Sequence, residues 1–314
     1  MKKHQFQCFF FYWVILLGLT CLPFQIMQAQ HPPMYSQYMF NTMLINPAYT
    51  GSRNALSVSV LARKQWVGIK GAPFTQTVAL HSPLRNQKNS FGFTFNHDAY
   101  GVSENLSVFA SYAYRIHFSE KNRLAFGLQA GFQSIQDRWT RLKLDDNIDN
   151  VFSADSPVFY MPKAGFGVYY DRENLYIGFS TPQIIKYSPP LLTLYNSKAI
   201  AYNHYFLTAG YVIHVNPEIT LKPSILIKYV KNSPLQLDAN LHLILKDMVW
   251  LGISYRTGDA IIGTFQFQLA PQTQFGYAFD YSISKLNGFN QGSHELFMRY
   301  EFGFGMKVQS PRYF

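Results

Sequence analysis

Residues 293–304, SHELFMRYEFGF, alternate between two kinds of side chain. One set of alternate positions is large and apolar: Leu296, Met298, Tyr300, Phe302 and Phe304. The positions between them are mostly polar or small: Glu295, Phe297, Arg299, Glu301 and Gly303. Successive side chains of a β-strand point to opposite faces, so this pattern predicts a strand with one apolar face. Residues 274–283, QFGYAFDYSI, alternate in the same way and predict a hairpin with it.

The identity of the alternating residues indicates what surrounds the sheet. The apolar face is mainly Phe and Tyr, whereas the core of a soluble sandwich is mainly Val, Leu and Ile. The chain holds 28 Phe and 22 Tyr but only 14% charged residues. After the first thirty residues no apolar run is long enough for a membrane helix. We therefore predict an all-β fold, a transmembrane antiparallel β-barrel with lipid outside and polar groups inside.

The rest of the chain divides into about fourteen strand-like stretches, as many outer-membrane barrels do. We predict the barrel over residues 56–304, followed by a C-terminal tail, 305–314. The predicted strands are 56–66, 74–84, 90–97, 104–118, 122–135, 162–171, 174–182, 203–214, 219–230, 235–245, 249–256, 261–270, 273–285 and 294–304. Pro223 does not fit the ninth strand, because proline cannot donate to a ladder, and it predicts a bulge or a late start there.

The connections differ in length from one side to the other. Those after even-numbered strands are short, for example SEKN, DRE and KDM. Those after odd-numbered strands include the long segments 136–161 and 181–200. This asymmetry is typical of outer-membrane barrels, whose short turns lie in the periplasm, and it predicts both termini on the periplasmic side.

Residues 1–29 have the three parts of a secretory signal peptide: basic MKKHQFQ, an apolar run from Phe9 to Leu22, and the exit MQAQ. Cleavage is expected after Ala29 or Gln30, and with it export to the outer membrane. An uncleaved anchor would need a longer apolar run. A lipoprotein would use Cys21, but the residues before it match a lipobox poorly. Both cysteines, Cys8 and Cys21, lie in this signal, so the mature chain offers no disulfide or thiolate.

Between the signal and the first strand, residues 30–55 form an irregular N-terminal segment without periodicity and with several prolines. Its side chains are too apolar for a solvated leader. We expect it to enter the periplasmic mouth of the barrel, to bind a periplasmic partner, or to help the first strand close the barrel. The candidate partner-binding residues are Tyr38, Phe40, Asn41, Leu44, Asn46 and Pro47.

Motifs for catalysis are nearly absent, and we predict neither enzyme activity nor a cofactor or metal. HELFM at 294–298 lacks the second histidine of a zincin and lies in a strand. Ser111 and His117 are expected to line the lumen with Ser107 and Arg115 rather than to form a hydrolase site. The acidic loop 143–157 has oxygen ligands for Ca²⁺ but no EF-hand spacing, which favours a solvated loop. Trp66, Trp139 and Trp250 are expected to lie in interfacial girdles.

The segment 35–84 carries the elements SQYMFN, NPAYTGS, RKQWVG and GAPFTQT. With these elements the chain resembles the PorP/SprF family of Bacteroidetes outer-membrane proteins. The resemblance continues through GFSTP, LKPSILIKY, LGISYR, YAFDYSIS and the ending SHELFMRYEF, and so covers the mature chain. The matched signature positions include Gly51, Arg63, Gln65, Trp66, Gly71 and Pro73, beside Tyr38, Asn41, Asn46 and Pro47.

The resemblance implies a component of type IX secretion and gliding motility, with no catalytic residue to transfer. Its implied partners are outer-membrane lipid, periplasmic ring or motor proteins, and a large secreted adhesin; nucleic acid is not expected. The alternative is a passive or substrate-specific porin, which the polar inward residues would suit.

Overall fold

The computed structural model describes residues 34–119, 121–142, 154–184 and 203–303. The predicted signal peptide, the tail 305–314 and most of the acidic loop lie outside these residues. The described chain forms a closed antiparallel barrel of 14 strands. Its strand segments are β1 (Leu56–Lys64), β2 (Phe74–Pro83), β3 (Asn89–Tyr100), β4 (Ser103–His117), β5 (Asn122–Asp137), β6 (Phe159–Arg172), β7 (Leu175–Thr181), β8 (His204–Tyr211), β9 (Ile213–Asn216), β10 (Ile219–Val230), β11 (Gln236–Leu245), β12 (Val249–Arg256), β13 (Ala260–Ala270), β14 (Thr273–Ser282) and β15 (Ser293–Phe302).

Consecutive segments pair with each other, except β8 with β9, and β1 pairs with β15 to close the barrel. Leu56 lies opposite Phe302 and Lys64 opposite His294, so this closing ladder runs along the whole of β1. Closure leaves no free sheet edge along that seam. A strand crosses a bilayer only when its backbone N–H and C=O groups are paired in this way. The predicted fold class is therefore confirmed.

β8 and β9 are two parts of one barrel strand, separated at Val212, and both pair with β10. The break lies beside Pro223, which has no backbone N–H to donate to the neighbouring strand. β8 pairs with β10 from Ser224 onward, and β9 pairs with it up to Leu221. The irregularity predicted at Pro223 is thus in the neighbouring strand. β10 itself begins at Ile219, not late, and pairs Pro223 with Leu241 on its other side.

Outward and inward positions differ as the sequence pattern predicts. Along β15, Leu296 and Met298 are exposed on the outer surface, whereas Glu295, Arg299 and Glu301 are buried inside. Along β4, Tyr112 and Tyr114 face outward, and Ser111 and Arg115 are buried in the lumen.

Two side chains depart from the expected positions. Trp250 is 3% exposed and packs inside the barrel, because it occupies an inward position of β12 rather than an outward girdle position. His117 has the inward parity but ends β4 beyond the packed lumen, and it is exposed.

The connections keep the predicted asymmetry. We call the end that carries the connections after β1, β5, β7 and β14 the long-loop end, and the other the short-turn end. β1 runs from the short-turn end at Leu56 to the long-loop end at Lys64. Short 3-10 helices lie at Thr42–Leu44, Pro47–Tyr49 and Trp139–Arg141. No helix in the described ranges is long and apolar enough to span a membrane.

Candidate functional site

The lumen of the barrel contains the chain's own N-terminal segment. We call residues 34–55 the plug. Nearly all of its side chains are buried, including Gln37, Asn46 and Thr50, which are at most 1% exposed. The plug runs the length of β1 inside the barrel, from the long-loop end down to Leu56. It therefore extends much deeper than the barrel mouth, which was one of three positions expected from the sequence. Its first described residues lie at the long-loop end, whereas the connection lengths predicted the N-terminus at the end with the short turns.

The first plug residues are held by a buried ionic network near the long-loop end. The two oxygens of Glu295 accept from the backbone N–H groups of Ser36 and Gln37 at 2.8 and 2.7 Å. Arg63 lies between two carboxylates, 2.7 Å from Asp280 and 3.1 Å from Glu295. It also donates to the Ser36 hydroxyl at 2.7 Å. A guanidinium at most 2% exposed between two buried acids satisfies charges that would otherwise be costly to bury.

A second arginine extends this network across the lumen. Arg256 is fully buried and pairs with Asp238 at 3.0 Å. That contact uses Nε, and the terminal Nη2 donates to the carbonyl of Tyr35 at 3.2 Å. Charge-assisted bonds to backbone groups are stronger than neutral ones, so the wall holds the plug by its main chain.

Aromatic packing holds the middle of the plug. The Phe40 ring meets Trp250 and His242 edge to face, each at 5.4 Å between centroids. The Lys222 ammonium lies 5.8 Å from the Phe40 centroid and 5.6 Å from that of Trp250. Such edge-to-face and cation–π contacts add to area burial. The carbonyl of Phe40 accepts from Arg299 at 3.0 Å.

Beside the aromatic cluster, polar plug side chains bond to the wall. Tyr38 accepts from Asn240 at 2.8 Å, and Asn41 donates to Ser59 at 2.7 Å. Asn46 donates to the carbonyl of Val168 at 3.1 Å and caps the helix Pro47–Tyr49 by accepting from Ala48. An asparagine cap satisfies an N–H that a buried helix would otherwise leave unpaired.

Glycines in the wall let the plug approach closely. A Cβ at Gly127 would lie 2.1 Å from the backbone nitrogen of Ala48, and one at Gly167 would lie 2.1 Å from Oδ1 of Asn46. Both positions face inward. The missing side chains leave room for the plug backbone and for the Asn46 side chain.

The last part of the plug is anchored near the short-turn end. Arg115 donates to the carbonyls of Gly51 and Thr50 at 2.7 and 3.3 Å. Gly51 has a φ of 71° and no room for a Cβ beside Ser90, so a glycine is required there. Arg53 pairs with Glu301 at 3.3 Å.

The structure brings all six candidate partner-binding residues together in the lumen. Tyr38, Phe40, Asn41, Asn46 and Pro47 are buried, and Leu44 is partly buried. They contact the wall of their own barrel rather than lying on an open surface. Their partner-binding role stays a prediction.

The signature positions divide between two places. Gly51 lies in the plug, and Arg63 holds the plug from the wall, as described above. The other four, Gln65, Trp66, Gly71 and Pro73, lie in the β1–β2 loop at the long-loop end. That loop is tied to the β14–β15 loop through Val67, which donates to Gly292 at 2.8 Å. It is tied to the β3–β4 turn through Gly71, which accepts from Gly101 at 2.8 Å.

Several lumenal residues that hold the plug escaped the sequence prediction of the site. They include Lys222, Asp238, His242, Arg256 and Asp280. Each occupies an inward position of a predicted strand, so the alternation places them in the lumen. It does not show that a segment distant in sequence fills the space between them.

Nothing in the described ranges forms a group of acids, histidines or cysteines able to hold a metal ion. Most of the acidic loop considered for Ca²⁺ lies outside these ranges. Of its aspartates, Asp155 is described. It accepts from the hydroxyl of Thr140 at 2.7 Å and pairs with Arg138 at 3.5 Å. The Thr140 hydrogen bonds, followed by that arginine, lower the pKa of Asp155.

A protein-family comparison matches residues 27–300 to the family described as the type IX secretion system membrane protein PorP/SprF. The chain belongs to the PorP/SprF family. This makes it a component of type IX secretion with an outer-membrane barrel fold. Neither the family nor the fold is a known enzyme class. A search of curated proteins finds no match.

Solved outer-membrane proteins resemble the chain only distantly. CymD, a monoaromatic hydrocarbon channel, is 11% identical with a TM-score of 0.49, covering 86% of this chain and 93% of its own. A Pseudomonas aeruginosa FadL homologue is 10% identical with a TM-score of 0.45, covering 86% and 95%. Omp33 of Acinetobacter baumannii is 9% identical with a TM-score of 0.44, covering 80% and 100%. Likenesses this distant say nothing about what this chain binds or transports.

Proposed function

We propose that this PorP/SprF protein is a plugged anchor of the type IX secretion and gliding machinery, and not a conduit for solutes. In this role it assists the secretion and surface display of large proteins. It does so through contacts with periplasmic ring or motor proteins and with an adhesin. The observation that carries the proposal is the plug, since it occupies the space that a porin leaves open.

The bonding of the plug supports a permanent closure. Arginines of the wall donate to its first and last residues: Arg63 to Ser36, Arg256 to Tyr35, and Arg115 to Gly51. Arg53 of the plug also pairs with Glu301 of the wall. Removing one partner of a buried ion pair costs about 3–5 kcal/mol, so withdrawal of the plug would break this pair together with the hydrogen bonds. A barrel closed in this way is suited to hold other proteins at the membrane.

The buried candidate residues then act on partners indirectly. Tyr38 and Phe40 keep the plug in place, and partners meet the surfaces at the two ends of the barrel. Residues 1–29 act in this proposal as the export signal that brings the chain to the membrane.

Deletion of the gene followed by complementation tests this function. We expect the deletion strain to lose surface display of proteins exported by the type IX system, while its permeability to small solutes stays unchanged. The wild-type gene should restore display. Normal display in the deletion strain, combined with reduced uptake of a small solute, would favour the porin alternative instead.

A further inference from the structure

Ionisable side chains other than tyrosine are rare on the outward-facing strand positions of the described barrel. The sheet register gives Lys64, His97, Glu104, Arg172 and His294. Glu104 bonds to Arg138 and Arg141, and Arg172 ends β6 at the short-turn end. The other three lie on β15, β1 and β3. The strands β15 and β1 are adjacent, and only β2 separates β1 from β3. All three are basic.

These three basic residues all lie toward the long-loop end. Lys64 is the last residue of β1, and His294 is its direct cross-strand partner on β15. The short-turn ends of the same strands have Leu56 and Phe302 at their outward positions. Among the described outward positions of β14, β15, β1, β2 and β3 there is no carboxylate. On these five strands, the outward-facing basic side chains are therefore confined to the long-loop edge.

The Lys64 side chain is exposed at this edge, and that of His294 is partly exposed. The Lys64 ammonium uses one N–H on the carbonyl of Ala72 at 3.2 Å, and it lies 5.8 Å from the Phe74 ring centroid. The Tyr277 hydroxyl lies 2.7 Å from Nδ1 of His294. With that hydroxyl as the donor, the imidazole hydrogen is on Nε2, which can then donate to a ligand.

The surface beneath this pair is apolar. Val60, Leu296 and Met298 are 46%, 61% and 41% exposed on the same outer face. In a membrane this face contacts acyl chains, and a basic pair at its end lies at the depth of lipid headgroups. Phosphate oxygens are the acceptors that suit an ammonium and an imidazole donor side by side.

We propose that Lys64 and His294 bind the phosphate of an outer-leaflet lipid headgroup, with its acyl chains along the apolar surface below. Adjacent strands are about 4.8 Å apart, so both donors reach one phosphate group. His97 lies two strands from Lys64, about 10 Å across the sheet, and serves a second anionic group of a larger glycolipid headgroup. The site is independent of the plug and of the role in secretion.

The test uses the purified full-length mature protein in detergent with bisphosphorylated lipid A as the probe, and native mass spectrometry to measure the bound fraction. Lys64→Gln combined with His294→Gln should weaken binding at least about tenfold, since two charge-assisted contacts are lost. Lys64→Arg should bind as the wild type does. Arg172→Gln, which removes an outward cation at the short-turn end, is the matched control and should have no effect.

Four outcomes would overturn the proposal. One is unchanged lipid A binding by the double variant. Another is an equal loss in Arg172→Gln, which would indicate a general effect of charge. The third is full competition by millimolar inorganic phosphate, which would make this a site for free anions. Equal binding of lipid A from which both phosphates have been removed would likewise contradict it.

Discussion

At the level of single residues, the account depends on side chains that contact the plug from the wall. Arg63 is the clearest case, because it lies between Asp280 and Glu295. Arg63→Met would leave the buried Glu295 without its cation, and Asp280 with only Arg256 at 3.9 Å. We expect this variant to lose about 3–5 kcal/mol of unfolding free energy, measured by urea unfolding in detergent.

The control for Arg63 is an ion pair that is exposed to solvent on the protein surface. Lys121 pairs with Glu173 at 2.7 Å, but both side chains are more than half exposed. Lys121→Met should leave the unfolding midpoint unchanged, because solvent already screens that pair. If the two methionine variants were equally stable, burial of the Arg63 network would not matter to the fold.

Two glycines provide a second residue-level prediction. Gly127→Ala places a methyl group against the backbone of Ala48, which cannot move without displacing the plug. Overpacking of this kind costs about 1–3 kcal/mol. Gly263→Ala is the matched control, because nothing lies within 4 Å of its added Cβ. Thermal unfolding followed by gel mobility should show a lower midpoint for the first variant only.

At the level of elements, alternation in the sequence predicted both where the strands lie and which side chains face the lumen. It placed Glu295 and Arg299 inside and Leu296 and Met298 outside, since a two-residue period leaves no other choice. The strand bounds were less accurate where β3, β5 and β6 continue past the membrane band. There the pairing persists but the apolar alternation fades. Trp250 was misplaced because its position near a strand end, rather than its inward parity, guided the prediction.

The plug could be recognised from its sequence only as a segment too apolar for water. Its position depends on contacts between distant residues, such as Ser36 with Glu295, that no local pattern encodes. Periodicity also cannot distinguish a lumen filled with water from one filled with protein, because both require polar inward residues. Sequence therefore predicted the barrel well and the burial of its N-terminal segment only as one of three options.

A double variant should loosen the plug without disrupting the barrel. Tyr38→Ser with Phe40→Ser removes two large side chains whose burial stabilises the plug by about 1.5–3 kcal/mol each. The barrel should still assemble and keep its heat-modifiable mobility, since the β1–β15 ladder does not involve these residues. The plug should become accessible to protease. Phe40→Leu, which keeps an apolar side chain, should behave nearly as the wild type.

Failure of the double variant to assemble would contradict the claim that the barrel wall folds without a firmly packed plug. It would show that the plug is needed to close β1 on β15. Resistance to protease equal to that of the wild type would show that the ionic anchors alone keep the plug in place.

At the level of the whole molecule, the central claim is that this outer-membrane barrel is closed by its own N-terminal segment. The most direct measurement is single-channel conductance in planar lipid bilayers, comparing the full mature chain with one that lacks residues 34–50. We predict no steady conductance for the full chain and open channels for the deletion, because the deletion empties a polar lumen. Steady porin-like conductance of the full chain would contradict the account.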